Sequence, residues 1–393
     1  MTATTVPASP ARRPPPWRDV RVLRLAAQVV VVTAVVGVVA YLFDNLMTNL
    51  RIRGISTDFD FLDRPATIEI AYSDFRASQP VRDAFVVAMK NTLLVAAVGI
   101  PLTIVLGTLV GVARLSTNLL VRSAAGLYVE TLRNLPPLLV IVFVNSAVFL
   151  ELPRIGDAVD VGGFLVLSNR ELAAASPVAG DQLGLYALVL VAAVVVAAVV
   201  WRYRTKVSET TGEPHHRVVW AGVPLALAVV GGYALLDAPV TVSHPEAVGR
   251  GISGGIALSI GYGAVVTGLV LYTSSHVAEI VRGSVQAVDR GQTEAAEALG
   301  LSSAQRLRFV VLPQAFRVAV PPMINQFLNL TKNSSLAIAV GYAELAAITL
   351  VLISQANPAP QMVLILMSIY LVISIVISII ANVVNRRLQL VER

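Results

Sequence analysis

Three clusters of polar residues sit inside stretches that are otherwise apolar. A charge at the centre of a bilayer helix costs at least ~2.5–3.5 kcal/mol on insertion scales, so each cluster needs a task. The first is Tyr128-Val129-Glu130-Thr131-Leu132-Arg133-Asn134, where Glu130 and Arg133 fall three apart on one helical face and are spaced to pair. The second closes an apolar run with His276-Val277-Ala278-Glu279-Ile280-Val281-Arg282-Gly283 and repeats that spacing in Glu279 and Arg282. The third is Asn325, Gln326, Asn329, Thr331, Lys332, Asn333, Ser334 and Ser335, entered through Pro321-Pro322. Asn325, Asn329 and Lys332 or Asn333 make one helical stripe that lipid tails could not satisfy, so it faces protein or a water-filled path. Amides and hydroxyls offer donors and acceptors together, which suits a solute carrying both an ammonium and a carboxylate. The stripe would serve equally as interhelical hydrogen bonding at a subunit contact. Covalent chemistry has no candidate. There is no cysteine, no nucleophile or carboxylate pair has a catalytic spacing, and His215, His216, His244 and His276 fall in no metal-ligating pattern and read as surface or interfacial.

A fourth segment, 289–313, is polar and lies between two apolar runs. Asp289 with Gln292 is spaced for a capping box before Glu294-Ala295-Ala296-Glu297-Ala298, and Ser302 with Gln305 repeats the device before Arg306 to Val311. Gly300 stands where the chain must turn and supplies a positive φ without penalty. The spacing predicts two short helices around a tight turn, presenting an alanine-rich face that suits docking into another protein.

The elements that must position these residues are membrane helices. Of 393 residues 56% are hydrophobic and 14% charged, and the mean hydropathy is +0.74, outside the range of an ordinary soluble domain. A hydrocarbon core about 30 Å thick needs about 20 apolar residues per helix. Eight stretches answer, near 24–43, 90–112, 125–149, 183–201, 218–236, 256–281, 315–338 and 361–384. The reading is an all-α polytopic membrane protein. Residues 1–23 form a disordered basic tail, 24–43 an uncleaved anchor helix, 44–83 an ordered outer loop, and 84–389 the transmembrane domain, with 183–236 a bland helix pair at the lipid-facing periphery. Most of the 30 Lys and Arg fall on one side when the amino terminus is cytoplasmic, which puts both termini and residues 282–313 inside. The formal charge of +6 fits loops facing anionic lipid, and nucleic-acid binding is not indicated.

Glu294, Ala295, Ala296, Gly300, Leu312 and Pro313 resemble, in register, the EAA loop of ABC-importer permeases, with Val310 the soft position. Three further segments resemble the polar and general L-amino-acid subfamily. These are Tyr128-Val129-Glu130 with Arg133 and Pro136, Ala278-Glu279 with Arg282-Gly283, and Lys332-Asn333-Ser334-Ser335-Leu336 followed by Gly341-Tyr342. Arg53-Gly54-Ile55 and Phe59-Asp60-Phe61-Leu62 are similar to the outer loop of the first of two paired permeases, while Val142-Phe143-Val144-Asn145 is less aromatic than in that branch. The resemblance implies a type I ABC-importer permease core and coupling to an ATPase through Glu294, Ala295, Ala296, Gly300, Leu312 and Pro313. It implies a lever at Glu279 and Arg282, and a translocation path near Glu130, Arg133, Asn325, Asn329, Lys332, Asn333 and Ser334. The implied partners are an ABC ATPase dimer that uses ATP and Mg, a second permease forming a heterodimer, and an extracytoplasmic amino-acid-binding protein. The chain itself would bind no cofactor. It has no G-x-x-x-x-G-K-[ST] loop, so ATP must act through a partner. A proton-coupled transporter using Glu130 or Glu279 as relay, or a non-transporting scaffold, would also place acids and amides in the membrane.

Overall fold

The computed structural model describes residues 15, 17, 19–55, 57–212, 216–249, 251–355 and 357–388. Most of the expected tail, 1–23, lies outside them. In chain order the helices before the first strand are α1 (Val20–Ile52), α2 (Val81–Ala113), α3 (Leu119–Asn134) and α4 (Pro137–Val144). Four strands follow, β1 (Val159–Val161), β2 (Leu165–Leu167), β3 (Glu171–Ala174) and β4 (Ser176–Ala179). Helices α5 (Leu183–Thr211) and α6 (Arg217–Leu235) lead to β5 (Val240–Ser243), β6 (Glu246–Val248), β7 (Gly251–Ser253) and β8 (Ile256–Ser259). The chain ends in α7 (Ile260–Gln286), α8 (Arg290–Ala298), α9 (Ser303–Arg306), α10 (Leu312–Asn333), α11 (Leu345–Ser354) and α12 (Ala359–Leu388). Among the described residues seven helices are long and apolar enough to cross a bilayer, or eight if the bent pair 119–149 is one span. That matches the sequence reading.

Helix α7 is the centre of the bundle. Of its most apolar window 61% is buried, against none of the corresponding window of α1. Small residues on α2 let that neighbour come close. A Cβ at Gly107 of α2 would lie 2.6 Å from the Val277 side chain, and one at Gly111 would lie 2.8 Å from the Ala278 carbonyl. With Gly99 and Thr103 these glycines form a stripe at four-residue spacing, which lets the backbones of α2 and α7 approach closely. Val95, Ile141, Val265, Leu269 and Leu330 close the core around that contact. A second core lies toward the amino-terminal end of α2, where Phe61, Ile68, Ile70 and Phe75 of the 57–80 loop pack on Phe85, Leu345, Leu352 and Met362. The loop is thereby an ordered cap.

The break between α3 and α4 follows from proline chemistry. Pro136 and Pro137 have no N–H to donate, so Leu135 is extended, Pro137 starts the new helix, and the two arms are bent by 109°. Tyr128 anchors the first arm, its hydroxyl donating to the Leu271 carbonyl at 2.9 Å and lying 2.7 Å from Ser274 Oγ.

The all-α expectation omitted a β ornament. Strands β1, β2, β3 and β8 form one antiparallel sheet, β4 pairs with β5, and β6 with β7. Strands of three or four residues are too short to show a period of two against an apolar background, which is why the pattern was missed. The α5–α6 hairpin springs from the β4–β5 ribbon and is clamped at both ends. Tyr186 Oη donates to the Val229 carbonyl at 3.0 Å beside Gly232, and Arg204 lies 4.5 Å over the Trp220 ring. Tyr72 joins the 57–80 loop to this ornament by donating to the Arg170 carbonyl at 3.3 Å. Burial, and next the Glu171 carboxylate, push its phenol above the ordinary tyrosine range.

Gly107→Leu overpacks the α2–α7 crossing and is expected to cost about 1–3 kcal/mol. Gly37→Leu on α1, where nothing lies within 4 Å, is the matched control. Thermal unfolding of the detergent-solubilised protein should separate the two variants, and equal midpoints would show that the crossing is not tight.

Candidate functional site

Helix α8 begins at Asp289, whose carboxylate accepts from the Gly291 N–H at 2.6 Å. The expected reciprocal bond from Gln292 is absent, because its side-chain oxygen accepts instead from Gln314 Nε2 at 3.3 Å, across to α10. At the other end Gly300 has φ +72°, and the N–H groups of Gly300 and Leu301 donate to the carbonyls of Glu297 and Ala296. That is the Schellman pattern, and it needs a residue free of Cβ strain at Gly300. Ser302 and Gln305 form the expected capping box. Ala296 is buried against the hairpin, whereas Glu294, Ala295 and Ala298 are exposed beside Leu299, itself 79% exposed. The result is an uncovered small-residue face with an apolar tip.

The second half of the hairpin differs from expectation. It does not end before the next span. Helix α9 passes through a single wide turn at Leu307–Val311, in which the Leu312 N–H donates to the Leu307 carbonyl, and continues as α10. Pro313 cannot donate to the carbonyl four residues back, and a widened turn absorbs that loss without breaking the rod. Leu312 and Pro313 are exposed at its base. An ion pair missed by the sequence reading, Arg306 to Glu297, ties α9 to α8.

Glu279 and Arg282 pair as spaced, with Arg282 Nε 3.2 Å from Glu279 Oε2. The carboxylate also takes Arg114 from the end of α2, and Arg282 donates onward to Gln286 Oε1 at 2.6 Å. Glu130 and Arg133 do not pair. Both are exposed on α3, and no ion pair joins them among the described residues. Asn134 instead donates to the Glu130 carbonyl at 2.8 Å. On α10, Asn325, Asn329 and Lys332 are exposed on one side of the span and Asn333 is half-buried. Ser334 is fully buried and donates to the Thr331 carbonyl at 2.8 Å, so it belongs to the packing behind the stripe. His276, read as surface or interfacial, is half-buried with its ring edge-on to Tyr272. Among the described residues no group of His, Asp and Glu could hold a metal.

The hairpin and a membrane-spanning rod are thus one continuous element, with a polar stripe along the rod. Residues 99–390 match the family described as the binding-protein-dependent transport system inner membrane component. This chain belongs to that family. Among its relatives, YhdX of Escherichia coli K12, which carries the name of an amino-acid ABC transporter permease, is 40% identical over 93% of this chain and 94% of its own. The general L-amino acid transport system permease protein AapQ of Rhizobium johnstonii is 37% identical over 93% of this chain and 92% of its own. The glutamate/glutamine/aspartate/asparagine transport system permease protein BztB of Rhodobacter capsulatus is 33% identical over 95% of this chain and 96% of its own. As an inner membrane component of this kind, the chain is the membrane-spanning translocation subunit of an ABC importer, and its family works with an ATPase and a binding protein.

Within this inner membrane component one polar node escaped the sequence reading. Glu344, fully buried, accepts from Tyr370 Oη at 2.6 Å and from the Ala347 N–H at 2.8 Å, capping α11. Thr92 Oγ1 accepts from the Leu345 N–H at 3.2 Å, and Asn91 Nδ2 donates to the Ala343 carbonyl at 2.7 Å. The node pins α2 to the α10–α11 turn. The available signal was a lone acid between apolar runs, Ala343-Glu344-Leu345. Tyr370→Phe leaves that carboxylate short of a donor and is expected to destabilise the protein by about 1–3 kcal/mol. An unchanged melting midpoint for the purified variant would show that the bond carries no load.

Proposed function

We propose that this importer subunit carries α-amino acids, in a complex with a second permease subunit, an ATPase dimer and an extracytoplasmic amino-acid-binding protein. The relatives' substrates support the solute class. The physical support is the exposed stripe of Asn325, Asn329 and Lys332 on a span, which hydrocarbon cannot satisfy and which a facing subunit and a water-filled path can. Amide groups and an ammonium there suit the carboxylate of an amino acid, and the amide oxygens suit its ammonium. Asn333 sits at the edge of the stripe and Ser334 behind it. Arg133, on the exposed side of α3, completes the polar lining toward the end that bears the hairpin, while Glu130 faces the cavity beside Arg122.

Coupling rests on one observation, the continuity of the hairpin with α10. Glu294, Ala295 and Leu299 offer the docking face, Ala296 wedges α8 onto the hairpin, Gly300 holds the turn, and Leu312 with Pro313 begin the driven rod. Closure of the ATPase dimer on ATP and Mg pulls this hairpin, and α10 shifts between outward-open and inward-open arrangements. The Glu279–Arg282 pair, with Arg114, passes the same motion to α7 and α2. Moving a two-state population from 1:99 to 99:1 needs about 5.5 kcal/mol of differential binding, within the scale of nucleotide-driven docking. In the membrane both termini and the hairpin face the cytoplasm.

Reconstitution with the ATPase and binding protein tests this directly. Gly300→Asp forces an L-residue into φ +72° on the docking turn and should leave basal ATP hydrolysis intact while lowering uptake about tenfold or more, the equivalent of at least 1.4 kcal/mol of lost coupling. Wild-type uptake by that variant would remove the coupling role. Vesicles given a proton gradient but no ATP should take up nothing. Uptake under those conditions would instead support proton coupling through Glu130 or Glu279.

A further inference from the structure

Where α2, α3 and α7 meet at the membrane face bearing the hairpin, a cavity of about 540 Å³ is lined by Arg114, Arg122, Ser123, Leu127, Glu130 and Arg282, with Gln286 at its edge. Arg114 and Arg282 share the single carboxylate of Glu279, which leaves one positive charge between them. Arg122 stands on the first turn of α3 and has no ion-pair partner among the described residues. Set against Glu130, the three guanidiniums and two carboxylates leave a positive balance, to which Arg133, whose charge also reaches Glu279, adds. That suits an anionic group such as a phosphodiester. Guanidinium groups are the side chains best shaped to grip phosphate oxygens, and Ser123 and Gln286 add neutral donors.

The surroundings decide what carries the phosphate. Leu127 in the cavity wall is 70% exposed and Leu120, two residues before Arg122, is 79% exposed. Apolar side chains at the lip of a cationic cavity, beside the end of a membrane span, match a ligand whose anionic head continues into hydrocarbon. A free anion would leave those leucines uncovered. We propose that this cavity holds the phosphate of a glycerophospholipid from the leaflet on the hairpin side, with its acyl chains along α3. A lipid seated there touches Arg114 and Arg282 and so bears on the charge cluster that joins α2, α7 and the coupling hairpin.

The test uses the full chain, purified in detergent, stripped of lipid and returned to phosphatidylglycerol or to inorganic phosphate, with bound species read by native mass spectrometry. Wild type should retain one phospholipid per chain. Arg122→Ala should weaken that binding about tenfold, the loss of one charge-assisted contact, while Arg122→Lys should recover part of it. Because Arg122 has no ion-pair partner, both variants should melt like wild type once delipidated, which separates lost binding from lost folding. Equal lipid retention by wild type and Arg122→Ala would overturn the proposal. So would inorganic phosphate displacing the lipid at equal concentration, which would make this a site for a free anion.

Discussion

The close crossing of α2 on α7 governs the rest of the molecule. Two missing side chains, at Gly107 and Gly111, let the helix axes approach until backbone meets side chain. Lipid tails are as apolar as leucine, so this packing, and not exclusion from water, holds the helices together. The crossing ends at Arg114, which it delivers to Glu279. Both partners are partly solvated there, with 17% and 26% of their side chains exposed, so the pair fixes the register of the helices more than it adds stability. Tyr128 then hooks α3 to the same face of α7. Three of the helices that carry polar residues are thus referenced to one contact.

What could be read from the sequence divides along the distance over which each feature is determined. Spans were legible because hydrocarbon imposes a length and a composition, and the break at Pro136-Pro137 because proline acts locally. Gly300 and the Ser302–Gln305 box were legible because capping is settled within a few residues. Glu130 and Arg133 had the right spacing yet stay apart. Glu279 has the same spacing and forms the pair, and then takes Arg114 from a helix more than a hundred residues earlier. Spacing permits a contact, and tertiary packing decides it. Ser334 makes the same point. It lies next in sequence to the stripe, but the backbone tightens after Asn333 and turns it inward.

The two connections of the hairpin are mechanically unlike. On the α7 side the helix stops, residues 287–289 intervene, and α8 starts afresh on an aspartate cap. On the α10 side a hydrogen-bonded turn carries the helix straight into the membrane. One connection is articulated and the other stiff, while the Arg306–Glu297 pair keeps the two arms of the hairpin together. On the coupling proposed above, a push on the hairpin would reach the rod bearing Asn325, Asn329 and Lys332 through an unbroken helix, and α7 only through the Glu279 cluster.

The β4–β5 ribbon has a consequence for how such a chain is assembled. Ala179 and Val240 sit opposite one another in register, and everything between them, two whole bilayer crossings, leaves and returns through that one gate. Two crossings restore the chain to the side from which it departed, so neither the strand order of the neighbouring sheet nor the direction of any later helix depends on their presence. The hairpin is a self-contained module. An even number of crossings at that point leaves the polarity of every helix downstream unchanged.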